Sequence, residues 1–241
     1  MYGYLRLETM RMLRDVKFAV ISLVSPLLMY LVISNGATGP SRQATIVFLT
    51  VTMAAFGAMG AVLNSGSSGL AEDKGLGWLR QLRLTPLRPR DVVLARGMVI
   101  LLGALPPILA VQLLGAFSHG VRHTPAQWAA ATVALWLGVA PMALLAMAAG
   151  YRFRPQIAQA CAIVGYVTLS VIGGLWAPAS QLPHALQLVS KAIPTGRSAQ
   201  VALAAATGQA PSLTAIAVLA AWTAAAAGLA VLAYRKGAQS Q

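Results

Sequence analysis

The chain is short of charge. Only 10% of its 241 residues are charged and 58% are hydrophobic, whereas a soluble domain carries about 25% charged residues. That balance excludes an ordinary soluble domain and predicts an integral membrane protein. The five acids are Glu8, Asp15, Glu72, Asp73 and Asp91, so residues 92–241 hold no carboxylate side chain. Cys161 is the one cysteine, which excludes an intrachain disulfide. No Gly-x-x-x-x-Gly-Lys-Ser/Thr stretch occurs, so no phosphate loop and no ATP hydrolysis by this chain alone are predicted. No Asp, Glu or His falls deep in an apolar run, and such groups usually mark proton or ion pathways. The formal charge of +13 comes from Lys and Arg that border apolar runs. Without a basic soluble face interleaved with aromatics, nucleic acid is not an expected partner.

What is present is six apolar runs: 18–35, 44–63, 92–117, 126–151, 156–176 and 213–234. A helix needs about 20 residues to cross a hydrocarbon core of about 30 Å. The runs are continuous rather than alternating, which favours helices over a closed barrel. The expected fold is therefore all-α, with six transmembrane helices in a single domain over 1–241. Placing Arg6, Arg11, Arg14, Lys17, Lys74, Arg80, Arg83, Arg88, Arg90, Arg96, Arg152, Arg154, Arg235 and Lys236 on one side leaves Arg42, Arg122, Lys191 and Arg197 on the other. The crowded side is cytoplasmic by the positive-inside rule, and both termini fall there.

Before the first run, Leu5, Met12, Leu13 and Val16 share one helical face opposite Arg6, Arg11, Arg14 and Lys17. This predicts an amphipathic helix in the cytoplasmic headgroup layer rather than a cleaved leader. Between runs two and three, 72–84 reads as a second amphipathic helix, with Leu76, Trp78, Leu79 and Leu82 on one arc and Asp73, Lys74, Arg80 and Gln81 on the other. Glu72 and Asp73 suit its N-terminus, Arg80 and Arg83 its C-terminus, and Thr85-Pro86 stops it. Between runs five and six, Leu182, Leu186, Val189 and Ile193 repeat at helical spacing after Trp176, Pro178 and Pro183 and before Pro194. Phe48, Thr52, Met53, Phe56 and Asn64 in or near run two, with Gln159, Tyr166 and Thr168 in run five, offer mild polarity and adaptable apolar contacts. They would suit an apolar or amphipathic cargo, or serve ordinary helix packing.

The order of these features resembles the permease subunits of type-2 ATP-binding-cassette exporters. The likeness is carried by Glu72-Asp73-Lys74-Gly75, then Leu79, Leu82, Pro86 and Arg90 to Arg96. It continues in Gly173-Gly174-Leu175-Trp176-Ala177-Pro178, Leu182-Pro183, Pro194 and Arg197. The resemblance implies that 72–84 is a cytoplasmic coupling helix docking on a separate nucleotide-binding subunit. Glu72, Asp73, Lys74, Gly75, Trp78, Arg80 and Arg83 would be its contact residues. ATP and Mg2+ would sit on that partner, with no cofactor in this chain. A second permease copy completes the unit, and short extracytoplasmic helices bearing Trp176, Pro178, Leu182, Pro183, Leu186 and Pro194 narrow the outer exit. A bacterial cytoplasmic membrane is the expected location, and export of a drug, antibiotic or lipid the expected function. A non-transporting scaffold or immunity protein, and a secondary carrier, are the alternatives. Gly66-Ser67-Ser68-Gly69 fits an intramembrane protease pattern, but runs five and six offer no histidine to activate a serine.

Overall fold

The computed structural model describes residues 20–75 and 89–239, and every regular element among them is helical. The expected headgroup-layer helix, along with Trp78, Arg80 and Arg83, lies outside the described residues. Five helical rods are long and apolar enough to span a membrane: Arg42–Gly75, Val93–His119, Pro125–Arg152, Pro155–Ile172 and Leu213–Lys236. A shorter apolar helix, Ser22–Asn35, precedes them.

Proline and glycine punctuate these rods. A π-helical turn, Val20–Val24, leads into α1, Ser25–Asn35, with Pro26 in its first turn. The rod Val93–His119 falls into α4, Pro89–Leu102, and α5, Leu105–His119, because Pro106 and Pro107 lack the amide hydrogens that would continue the ladder. Trp136 Nε1 donates to Leu101 O at 2.8 Å beside that break, covering backbone that lipid could not satisfy. Gly120 ends α5 at φ +61, a conformation that only glycine adopts at little cost. A capping box between Thr124 and Gln127 opens α6, Pro125–Gly138. Pro141 marks the start of α7, Ala140–Arg152, and Pro155 begins α8, Pro155–Ile172.

The second rod departs from expectation. The Gly-Ser-rich stretch after α2, Arg42–Asn64, reads as a loop, yet helix continues through a π turn, Ser65–Gly69, into α3, Leu70–Gly75. The Ser65, Ser67 and Ser68 hydroxyls donate back to the carbonyls of Ala61, Leu63 and Asn64, so the widened turn keeps its polar groups paired. Small residues let α7 lie directly against this turn. A Cβ added to Gly150 would stand 2.6 Å from Gly66 O, so only glycine fits there.

Every residue from Leu49 to Leu63 is buried, so α2 is the axis of the bundle. Around it pack α1, α5, α7 and α8, with α7 against α11, Leu213–Gln239. By contrast, α8 and α11 expose apolar side chains such as Val164, Val167, Leu229 and Leu232, which suits lipid rather than water. The fifth run ends as helix at Ile172 rather than at Trp176, because Gly173 and Gly174 turn the chain, the latter at φ +71. Beyond it lie a short 3-10 turn, Ala179–Gln181, then α9, His184–Ala192, and α10, Pro194–Ala206. The apolar repeat foretold α9 but not α10, which packs chiefly on α6, α11 and α2.

Candidate functional site

Three places bear on function: the end of the second rod at Glu72–Gly75, an aromatic cluster halfway along it, and a groove at its other end. The Glu72–Gly75 corner is built on α3, so it is the tip of the central rod and not a detached loop. Asp73 pairs with Arg96 of α4, their side chains only 13% and 10% exposed. Lys74 Nζ donates to Tyr151 O at 3.0 Å and Phe153 O at 2.8 Å, placing its charge on the carbonyl end of α7. Tyr151 in turn meets Tyr234 of α11 edge-on at 5.2 Å. The corner is thus tied directly to two other elements and, through Tyr151, to a third. Glu72 and Gly75 remain exposed. The residues expected to face a partner therefore divide, Asp73 and Lys74 bonding inside the chain while Glu72 and Gly75 face outward.

Along α2, Phe48, Thr52, Phe56 and Gly60 succeed one another at four-residue intervals and so share a face. The Phe56 and Tyr166 rings stack at 4.4 Å, and Trp176 meets Phe56 edge-on at 5.9 Å. Thr52 Oγ1 is buried without a hydrogen-bond partner. Tyr166, with the Ser25 hydroxyl in its vicinity, also forms no hydrogen bond of ordinary length. The structure thus gathers Phe56 and Tyr166 from the residues expected to meet cargo with Trp176 from those expected at the exit, a juxtaposition that residues 56, 166 and 176 do not announce in sequence. Met53 is wholly buried, Asn64 accepts from Ser68 near the π turn, Gln159 is half-buried on α8, and Thr168 is exposed. These four do not join the cluster's ring contacts.

The groove has a volume of about 460 Å³. Phe48 of α2, Gly173, Pro178, Gln187 and Lys191 of α9, and Arg197 of α10 are among its walls. Of the exit residues, Pro178 lines it, Leu182 O accepts from Gln187 Nε2 at 2.8 Å, Pro183 caps α9, Leu186 is half-buried, and Pro194 is buried at the start of α10. Lys191 and Gln200 are groove residues that sequence reasoning did not select, and Arg197 entered it only through the family likeness; the signal for Lys191 and Arg197 was basic charge on the sparsely charged side. His119 stands edge-on to Tyr30 at 5.5 Å, and burial lowers the pKa of His123, whose ring meets Trp128. Among the described residues no group of three or more His, Cys, Asp or Glu side chains could hold a metal ion.

An all-helical bundle of apolar rods, buried along one axis and apolar on its outer faces, defines a multi-pass membrane protein. Residues 27–232 match the family described as "ABC-2 family transporter protein". The chain belongs to that family and is a permease subunit, the membrane part that lacks the ATPase domain; the family implies an ATPase partner. It is also 25% identical over 192 residues to "Putative transport permease YvfS" of Bacillus subtilis (strain 168), an alignment covering 78% of each chain.

Proposed function

We propose that this chain is the permease of an ATP-driven exporter in a bacterial cytoplasmic membrane. It works as two permeases with two ATPase subunits that carry ATP and Mg2+, and it moves a hydrophobic or amphipathic small molecule outward by alternating access. In this reading six spans, the first being the shorter apolar helix, leave both termini and the 72–84 coupling helix cytoplasmic. The segment from Trp176 to Ala206 forms the outer exit, and cargo passes along the Phe48, Thr52 and Phe56 face of α2 beside Tyr166.

One observation carries the reading. Glu72 and Gly75 are exposed at the tip of the most buried rod, while their neighbours Asp73 and Lys74 tie that tip to α4 and the end of α7. A push delivered there by a partner moves the axis of the bundle, with little slack to absorb it.

The test uses the native complex isolated with its ATPase subunit. Replacing Glu72 with Arg, or Gly75 with Leu, should lower export at least tenfold per ATP hydrolysed and leave membrane insertion unchanged. Unchanged export by both variants removes the coupling role. A complex without any ATPase, stable and functional by itself, favours the scaffold alternative.

A further inference from the structure

The groove at the far end of the second rod contains an unusual charge arrangement. Arg197 Nε donates to Lys191 O at 2.7 Å, and one terminal nitrogen donates to Gln200 Oε1 at 2.8 Å. These bonds hold the guanidinium beside the α9 backbone. Gln187 Nε2 donates to Ser180 O and Leu182 O, fixing the segment before α9 to that helix. The Lys191 ammonium has no partner among the described residues. Nor does nearby sequence supply one, because all five acids precede residue 92. Glu72 and Asp73 lie 24 positions or more beyond Phe48 on the same rod, about 36 Å away at 1.5 Å per residue. Two cations at one groove, with no carboxylate lining it among the described residues, suit an anion from outside the chain.

The apolar surroundings narrow its chemistry. Phe48, Ala199 and Leu203 line the groove with the cations. Leu188 and Val189 of α9 are 56% and 43% exposed, and Trp176, two positions beyond the lining residue Gly174, is 39% exposed. A free anion has no use for such a setting, whereas an amphiphile matches both parts. A volume of about 460 Å³ is that of a small-ligand site, large enough for a headgroup and the first carbons of its chains.

We propose that this groove binds the anionic headgroup of a lipid-like amphiphile, with Lys191 and Arg197 facing a phosphate or carboxylate and the acyl portion leaving over Leu188, Val189 and Trp176. The assignment deepens the proposed function by giving the exit a ligand class. Only its sidedness rests on that reading, since binding can be measured without an ATPase.

Many other cations on the chain attract anionic lipid, so the readout must be local. The full-length protein is reconstituted in phosphatidylcholine vesicles containing a phosphatidylglycerol probe with a diazirine in its headgroup, and labelled peptides are mapped after irradiation. Label is expected within 179–203. Lys191→Gln should lower it about fivefold, the factor for one cation's attraction to an anionic surface. Lys191→Arg should retain it, and label near Arg235 should not change in either variant. Arg235→Gln serves as the reverse control. Absence of label from 179–203, equal label from a phosphatidylcholine probe, or undiminished label in Lys191→Glu overturns the proposal. Loss of label on adding millimolar inorganic phosphate, at constant ionic strength, assigns the groove to a soluble anion and overturns it as well. None of these outcomes depends on whether Glu72 couples to an ATPase.

Discussion

The two ends of the central rod are built on opposite principles. At Glu72–Gly75, charge is consumed internally: Asp73 meets Arg96, and Lys74 meets the last carbonyls of α7. At Phe48, the neighbouring Lys191 and Arg197 face a groove whose lining, among the described residues, holds no carboxylate. An end wired to its neighbours transmits displacement; an end with spare charge is suited to meet something new. Between them, Leu49 to Leu63 form a continuously buried stretch, so the ends share one stiff body.

The largest effect should come from loosening that body. Gly150→Val forces a side chain into the backbone of the π turn, where even a Cβ would sit 2.6 Å from Gly66 O. Overpacking typically costs about 1–3 kcal/mol, and contact with backbone belongs at the upper end. Steady-state protein in the membrane should fall severalfold by immunoblot, whereas Gly165→Val, at a position open for at least 4 Å, should leave it unchanged.

The next effect breaks the wired end. Asp73→Asn takes a carboxylate away from the Arg96 guanidinium in a setting only 10% exposed, and removing one member of such a buried pair costs about 3 kcal/mol. Thermal unfolding in detergent should occur several degrees lower, and the charge exchange Asp73→Arg with Arg96→Asp should recover part of the loss. No recovery would show that the pair's surroundings, rather than its attraction, hold the corner.

Lys74→Met should be milder. It removes bonds to Tyr151 O and Phe153 O, about 1.5–3 kcal/mol for bonds to a charged donor, but part of the site is exposed and water replaces some of that. Export should fall more than stability, and Lys74→Arg should restore most of it. Smallest of all, Tyr166→Phe should change stability by less than about 1 kcal/mol, because the lost hydroxyl is buried without a bond of ordinary length. A change in which cargo is exported by that variant would place the ring on the transport path.

The comparison also marks what sequence could reveal. Apolar runs gave the rods; Pro125, Pro141 and Pro155, which each fall in the first turn of a helix, mark starts that the runs alone did not place, Pro141 inside the single run 126–151. The continuation of the second rod was hidden because Ser-Gly-Ser-Ser-Gly has the composition of a loop, and serine bonds back to the preceding turn emerge only once a helix exists. Helix α10 was hidden for a different reason: in Pro194–Ala206 the apolar residues are Ala except for Val201 and Leu203, which leaves no clear apolar stripe. The Asp73–Arg96 pair spans 23 positions; Asp73 reads as a contact for a partner, and Arg96 as one of the charges that set the topology. The groove needed α2, the turn after α8, α9 and α10 to meet, and no spacing along the chain encodes that.

The most direct test of the central claim, that force from the ATPase enters at the exposed tip of the buried rod, is photo-crosslinking from a benzoylphenylalanine at position 72 in the native complex. An adduct with the ATPase subunit, its yield changing between the nucleotide-free and ATP-bound states, is the predicted result. Crosslinking to lipid alone, in a complex that still exports its cargo, would contradict the account.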